Sequence, residues 1–89
     1  MILAKVVGTV WASQKDERLV GAKLQIVRPV ELDYSLKNNF FVAVDTVGAG
    51  VGEVVLVCQG SSARQTVMTE NKAVDAAIMA IVDKLDVVE

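Results

Sequence analysis

The residues most able to do chemistry in this chain surround a glycine-rich stretch, residues 45–53, which reads DTVGAGVGE. Half of the six glycines of the chain lie in it, as Gly48, Gly50 and Gly52. Glycine at this density indicates a backbone with positive φ or in close approach to another group. A glycine-rich loop after a strand can bind the phosphates of a nucleotide through its N–H groups. Nucleotide binding is therefore the first chemistry to test.

The details of the stretch argue against a nucleotide. The dinucleotide fingerprint G-x-G-x-x-G requires a third glycine at position 53 and a helix after it. Glu53 stands there instead and places a negative charge where a phosphate would lie. Residues 54–57, all β-branched or leucine, favour a strand over a helix, and the phosphate-loop motif with its G-K-[ST] ending is absent. We expect no nucleotide and no other cofactor, so the loop should approach something else.

The other reactive side chains also suggest structural roles. The chain has no histidine, which removes the commonest general base and metal ligand. Cys58, alone in an apolar run, is typical of a small core residue in a reducing compartment. Asp45, Asp75 and Asp83 could look like an acidic cluster for a metal or a general acid, but carboxylates at the ends of strands usually cap turns. We expect no catalytic residue and no metal site.

Composition predicts one small domain, residues 1–89, that buries surface by association. Hydrophobic residues make up 53% of the chain, whereas a domain of this size hides only about 60–65% of its unfolded surface. No run approaches the ~20 apolar residues that span a membrane, and the N-terminus lacks the pattern of a signal peptide. The net charge of −2 gives no basic footprint for nucleic acid. We therefore expect a soluble oligomer with no nucleic-acid or membrane partner.

Apolar, β-branched runs predict four strands, at 2–13, 19–28, 40–45 and 53–58. In the first, the more apolar alternating set should face the core, and Gly8 predicts a bulge or bend. That set is Ile2, Ala4, Val6, Val10 and Ala12. In the second, Leu24 and Ile26 should point inward. After Gly60, Ser61 or Ser62 could cap a short helical turn.

The segment 76–85 supports two interpretations. Its apolar residues at 77, 78, 81, 82 and 85 share one helical face, its alanines favour a helix, and Asp75 could cap it. Equally, residues 78–85 could be a buried strand that closes the sheet. Periodicity alone does not separate the two.

The glycine-rich stretch resembles the EutN/CcmL family, the pentameric vertex proteins of bacterial microcompartment shells, carboxysomes among them. The likeness continues through residues 60–64 (GSSAR), 74–76 (VDA) and 81–83 (IVD), and it includes residues 1–11 and 19–24. It thus covers nearly the whole chain in order.

This resemblance implies a mainly β fold: a small five-stranded, OB-like β-barrel with one short helical turn, assembled as a cyclic pentamer. Such pentamers cap the five-fold corners of a shell otherwise made of hexamers, in the bacterial cytoplasm, and a narrow pore could lie on their axis. The resemblance favours the strand over the helix for the last segment. It leaves open the type of compartment, its enclosed pathway and any traffic through the pore.

The resemblance also assigns the candidate site residues. The pentamer interface or pore loop comprises Gly48, Ala49, Gly50, Gly52 and Glu53. In that loop the carboxylate of Glu53 would accept backbone N–H groups in strong, charge-assisted hydrogen bonds. Ser61, Ser62 and Arg64 are candidates for contact with shell hexamers, although Arg64 could also be an ordinary surface residue. Trp11 is expected to fill the core or an interface.

An alternative function is an OB-type module that binds nucleic acid or a small ligand. Such modules use aromatic side chains to stack bases and a basic groove to hold the backbone. Aromatic residues are only 4% of this chain and its pI is about 5.0, so the composition disfavours this alternative.

Overall fold

The computed structural model describes residues 1–70 and 74–88, and these contain five strands that form a closed barrel. The strands are β1 (Ile2–Val10), β2 (Leu24–Pro29), β3 (Phe41–Asp45), β4 (Val54–Gln59) and β5 (Ala76–Ile81). Their order around the barrel is β1-β2-β3-β5-β4, with β4 returning to β1. Only β3 and β5 are parallel among these pairs. The predicted five-stranded barrel is confirmed.

In the described parts of the connections, two short 3-10 helices occur, η1 (Glu17–Leu19) and η2 (Gly60–Arg64). In η2 the predicted helical turn is right, but the predicted serine cap is wrong. The N-cap position is Gln59, whose side chain makes no capping hydrogen bond. Gly60 turns the chain instead, at a φ of 68°, and donates its N–H to the carbonyl of Asp75 at 2.7 Å.

Before η1, the carboxylate of Asp16 accepts hydrogen bonds from the backbone and the guanidinium of Arg18, which lowers the pKa of Asp16. No helix among the described residues has the length and apolar character to cross a membrane.

The barrel core consists of small and β-branched side chains from every strand. Ala4 and Val6 of β1 are fully buried, as predicted. In β2 the prediction was wrong by one residue: Leu24 and Ile26 are only half-buried, whereas Gln25 and Val27 point inward. One step along a strand moves every side chain to the other face, so the apolar character of 24 and 26 misled the assignment.

β1 carries the bulge that Gly8 predicted, since its register with β2 shifts between Val6 and Gly8. The side chain of Ile26 packs on the bare backbone there, with its Cδ1 3.4 Å from where a Cβ of Gly8 would lie. β1 ends at Val10, short of the predicted residue 13. Trp11 follows it and is 89% exposed, so the prediction of a core tryptophan is wrong, and its role at an interface stays a prediction.

The ambiguous last segment is a strand, so the helix interpretation is wrong. β5 begins at Ala76, earlier than predicted, and pairs with both β3 and β4. Its first three residues, Ala76, Ala77 and Ile78, are buried. Beyond β5 the N–H of Val82 donates to the carbonyl of Val54 at 2.8 Å, and residues 83–88 have no regular secondary structure.

Candidate assembly surface around the glycine-rich loop

The glycine-rich loop starts where β3 ends, and the residues there cap its first turn. The buried Asp45 accepts hydrogen bonds at Oδ1 from the N–H groups of Val47 and Gly48, both at 3.0 Å. Thr46 donates its hydroxyl to the carbonyl of Ile78 in β5 at 2.6 Å. The turn-capping role expected for Asp45 is confirmed, and the loop is thereby fixed to the barrel wall.

The middle of the loop is held from inside the barrel. Ala49 is fully buried in the core cluster, and its carbonyl accepts a hydrogen bond from Nε2 of Gln25 at 2.8 Å. The Oε1 of Gln25 in turn accepts the hydroxyl of Thr9 at 2.7 Å. Ala49 therefore supports the loop from within, and its side chain is not part of the outer surface that was predicted to contact a neighbour.

The end of the loop is closed by Glu53. Its Oε1 accepts the N–H of Gly50 at 2.6 Å, and its own N–H donates to the carbonyl of Gly50 at 3.1 Å. The predicted hydrogen bond from a loop N–H to the carboxylate of Glu53 is confirmed. Two further bonds join the loop to Val6 of β1. The N–H of Gly52 donates to the carbonyl of Val6 at 2.8 Å, and the N–H of Val6 donates to the carbonyl of Glu53 at 3.0 Å.

The three glycines of the loop serve different purposes. Gly48 and Gly52 have φ values of 76° and 95°, a region that side-chain-bearing residues rarely adopt. Gly50 lies outside this region; a Cβ there would meet Oε1 of Glu53 at 3.4 Å. Glycine thus permits the turns at 48 and 52, whereas a Cβ at 50 would only touch the carboxylate of Glu53.

The loop presents apolar side chains to the outside. Val51 is 65% exposed and Val47 is 40% exposed. Since its backbone is fixed by Asp45, Gln25 and Glu53, the loop offers a rigid apolar tip, which is what a surface for protein contact requires.

The second group of candidate residues lies elsewhere. Ser61, Ser62 and Arg64 belong to η2 and are exposed. β4 lies between η2 and Glu53, the last residue of the glycine-rich loop, and its six residues correspond to roughly 20 Å. η2 and the end of the loop are therefore separate surfaces, which suits contacts with two different neighbours.

η2 is anchored by one buried side chain and one side-chain hydrogen bond, in addition to the bond from the N–H of Gly60 to the carbonyl of Asp75. Ala63 is fully buried and packs with Cys58 and Ala77. Nη1 of Arg64 donates to the carbonyl of Val74 at 3.2 Å. Arg64 thus links η2 to the segment just before β5.

Among the described residues, the three aspartates named from the sequence lie apart. Asp75 and Asp83 lie beyond opposite ends of β5, so the three aspartates do not converge. Within residues 1–70 and 74–88, no group of His, Cys, Asp or Glu side chains could hold a metal ion. Cys58 is buried, as predicted for a core residue.

Sequence reasoning missed Gln25 and Thr9, which join the loop to β1 and β2. The available signal was the alternation in β2, where Gln25 shares a face with Val27 and Pro29. A glutamine on the inner face of a small barrel needs buried partners, and a loop carbonyl and a hydroxyl provide them here.

Comparisons with known proteins agree with this geometry. The model of the family described as "Ethanolamine utilisation protein EutN/carboxysome" matches residues 1–83. The microcompartment shell vertex protein PduN of Salmonella typhimurium is 49% identical over 89 residues, covering 96% of this chain and 98% of the relative. The carboxysome shell vertex protein CcmL of a Nostoc species is 46% identical, covering 98% of this chain and 87% of that protein.

Two solved structures are closely similar to the chain. Nostoc CcmL superposes with a TM-score of 0.94 at 45% identity, covering 98% of this chain and 92% of that one. GrpN, a pentameric microcompartment shell protein from Rhodospirillum rubrum, superposes with a TM-score of 0.90 at 44% identity, covering 99% and 100%. Because the family model matches residues 1–83 of the chain and these relatives are alike from end to end, the chain belongs to the EutN/CcmL family.

Proposed function

We propose that this chain is a structural shell protein whose cyclic homopentamer caps the five-fold vertices of a bacterial microcompartment in the cytoplasm. The observation that carries the proposal is the full-length likeness to GrpN, whose structure is that of a pentameric shell protein. The relatives are named as shell proteins, so we further propose that the chain has no enzymatic activity. They do not favour an OB-type module for nucleic acid or a small ligand.

The exposed apolar side chains support association. Large, contiguous apolar patches are uncommon on soluble monomers and mark interaction sites. Here several large apolar side chains are more than half exposed, among them Trp11 at 89%, Phe40 at 67% and Val51 at 65%. Subunit contacts would remove part of this surface from water, at a gain of about 25 cal/mol per Å².

The two candidate surfaces receive separate roles in this proposal. The outer face of the glycine-rich loop, with Gly48, Gly50, Gly52 and Glu53, faces a neighbouring subunit near the axis or the pore. The exposed residues of η2, Ser61, Ser62 and Arg64, face a hexameric shell protein. Their separation along β4 supports this division.

The oligomeric state tests the proposal directly. Light scattering coupled to size exclusion should give a particle of about five times the 9.5 kDa chain mass. A particle that stays monomeric at micromolar concentration would contradict the proposed function.

A further inference from the structure

A cyclic pentamer places a specific demand on each subunit. Because its contacts are head-to-tail, every chain must present two different surfaces that complement one another. In the proposed pentamer, on which this inference rests, the backbone hydrogen bonds of each subunit identify two such surfaces.

The first surface is an open strand edge on β1. β4 pairs with β1 only along residues 2–5, and the bonds of Val6 to Gly52 and Glu53 extend that side by one residue. On its other side β1 pairs with β2 as far as Val10. Within the described parts of the chain, residues 7–10 therefore have a strand on one side only. Open edges of this kind are ready templates for another strand.

The second surface is the segment 83–88 that follows β5. Its last link to the barrel is the bond from Val82 N–H to Val54 O, and no backbone bond of 83–88 occurs among the residues that the structure describes. The segment ends in two valines, Val87 and Val88, which are 48% and 96% exposed. Valine favours strands, so this segment has the composition of a strand without a partner.

We propose that residues 83–88 of one subunit add as a further strand to the open edge of β1, residues 7–10, in the neighbouring subunit of the ring. Strand addition is a recurring mode of protein association in which main-chain hydrogen bonds supply affinity. Six residues of extended chain span roughly 20 Å and four span roughly 13 Å. The segment is thus long enough to cover the edge with residues left to reach Trp11.

The side chains on the two surfaces complement one another. The exposed ring of Trp11 lies just past the open edge and would cover the valines of the added strand. Lys15 and Lys23 line the same shallow cleft as Trp11, whereas the segment 83–88 carries two acids, Asp83 and Asp86, against one lysine, Lys84. Opposite charges at such a contact set the register and direction of pairing.

We place the contact between subunits because, within the described residues, the segment makes no backbone hydrogen bond to the open edge of its own chain. The segment leaves the barrel beside Val54, the first residue of β4, and β4 lies between β5 and β1. The open edge starts at the glycine-rich loop, through the bonds of Gly52 and Glu53 to Val6. An added strand would therefore lie next to that loop, which agrees with its proposed place at the subunit interface.

Disulfide trapping tests the pairing. In a Cys58→Ala background, Val10→Cys is combined in turn with Leu85→Cys, Val87→Cys and Val88→Cys, since a disulfide needs the two Cα atoms within about 7 Å. At least one pair should give a ladder up to the pentamer on a non-reducing gel. Mixing two single-cysteine variants should stop at dimers. The matched control combines Val67→Cys, at a residue 96% exposed, with Val87→Cys and should give no ladder.

Hydrogen exchange on the wild-type protein provides a test that needs no variant. Amides of both segments, 7–10 and 83–88, should be strongly protected in the pentamer. A pentamer whose 83–88 amides exchange like those of an unstructured peptide, or become protected only when hexamers are added, would overturn this inference and leave the proposed function standing. A monomer by light scattering would overturn both.

Discussion

Among individual residues, Gln25 has the widest structural influence on the candidate surface. It is 1% exposed and joins Thr9 of β1 to the carbonyl of Ala49 in the glycine-rich loop. A neutral amide suits this position because it donates to one partner and accepts from the other. The loop is therefore positioned within one subunit before any neighbour binds.

We expect Gln25→Leu to destabilise the protein by about 1–3 kcal/mol, because the Ala49 carbonyl and the Thr9 hydroxyl would lose their buried partner. Urea unfolding at fixed protein concentration measures this change. The control is Gln59→Leu, an exposed glutamine at the end of β4, which should change stability by less than about 0.5 kcal/mol. Equal effects of the two substitutions would show that the buried link contributes nothing.

The loop glycines offer a second comparison. Gly52→Ala should cost about 1–3 kcal/mol, because alanine is strained at a φ of 95°. Gly50→Ala should be nearly neutral or slightly stabilising, because its φ is ordinary and the added Cβ would only touch Glu53 at 3.4 Å, while alanine lowers the entropy of the unfolded chain. Thermal unfolding followed by circular dichroism compares the pair. A larger loss for Gly50→Ala would contradict this account of the loop.

The residue-level predictions from sequence succeeded where the signal was local. A carboxylate beside a glycine-rich turn has few partners other than nearby N–H groups, so the roles of Asp45 and Glu53 could be predicted. The inward face of β2 could not, because Leu24 and Ile26 on the outer face are more apolar than Gln25 and Val27 on the inner face. Only the barrel shows that the mixed side, with Gln25, has partners inside.

Secondary-structure elements were likewise predicted correctly where the signal was local and not where it depended on long-range contacts. β1, β3 and β4 were predicted within a few residues, since Val and Phe runs favour strands. β5 remained ambiguous because Ala76, Ala77 and Ala80 favour a helix. Its pairing with β3 and β4 makes it a strand, and the local sequence pattern does not predict those long-range contacts.

Among the elements, η2 yields a test of the shell contact. Arg64→Ala removes the bond to Val74, but the residue is exposed, so we expect a loss of stability below about 1.5 kcal/mol and an intact pentamer. We expect weaker incorporation into shells, measured as the ratio of pentamer to hexamer after co-purification from co-expressing cells.

The matched control for Arg64→Ala is Arg18→Ala, which also removes an exposed arginine with a local hydrogen bond, at η1. It should leave incorporation unchanged if the hexamer contact is specific to η2. Unchanged incorporation of the Arg64→Ala protein would limit Arg64 to holding η2 in place.

For the whole molecule, the fold class followed from a resemblance spread over the chain rather than from any single element. A closed barrel is built from pairings between distant residues, and β-rich patterns alone do not specify which strands meet. The order β1-β2-β3-β5-β4, with one parallel pair, was not predictable from propensity. Surplus apolar composition predicts association without knowledge of the strand order, because the share of side chains that a small domain can bury depends only on its ratio of surface to volume.

The shape of the whole shell gives the last prediction. A sheet of hexagonal units cannot close without five-fold positions, so shells assembled without this chain should have open corners or form tubes and extended sheets. Electron microscopy of shells purified from cells that express the hexameric proteins, with and without this chain, measures the difference. Adding the gene back on a plasmid should restore closed particles, whereas a Gln25→Leu copy should restore fewer, because its subunits are less stable. Closed, five-fold particles in cells that lack this chain and every other vertex protein would show that it does not seal the vertices.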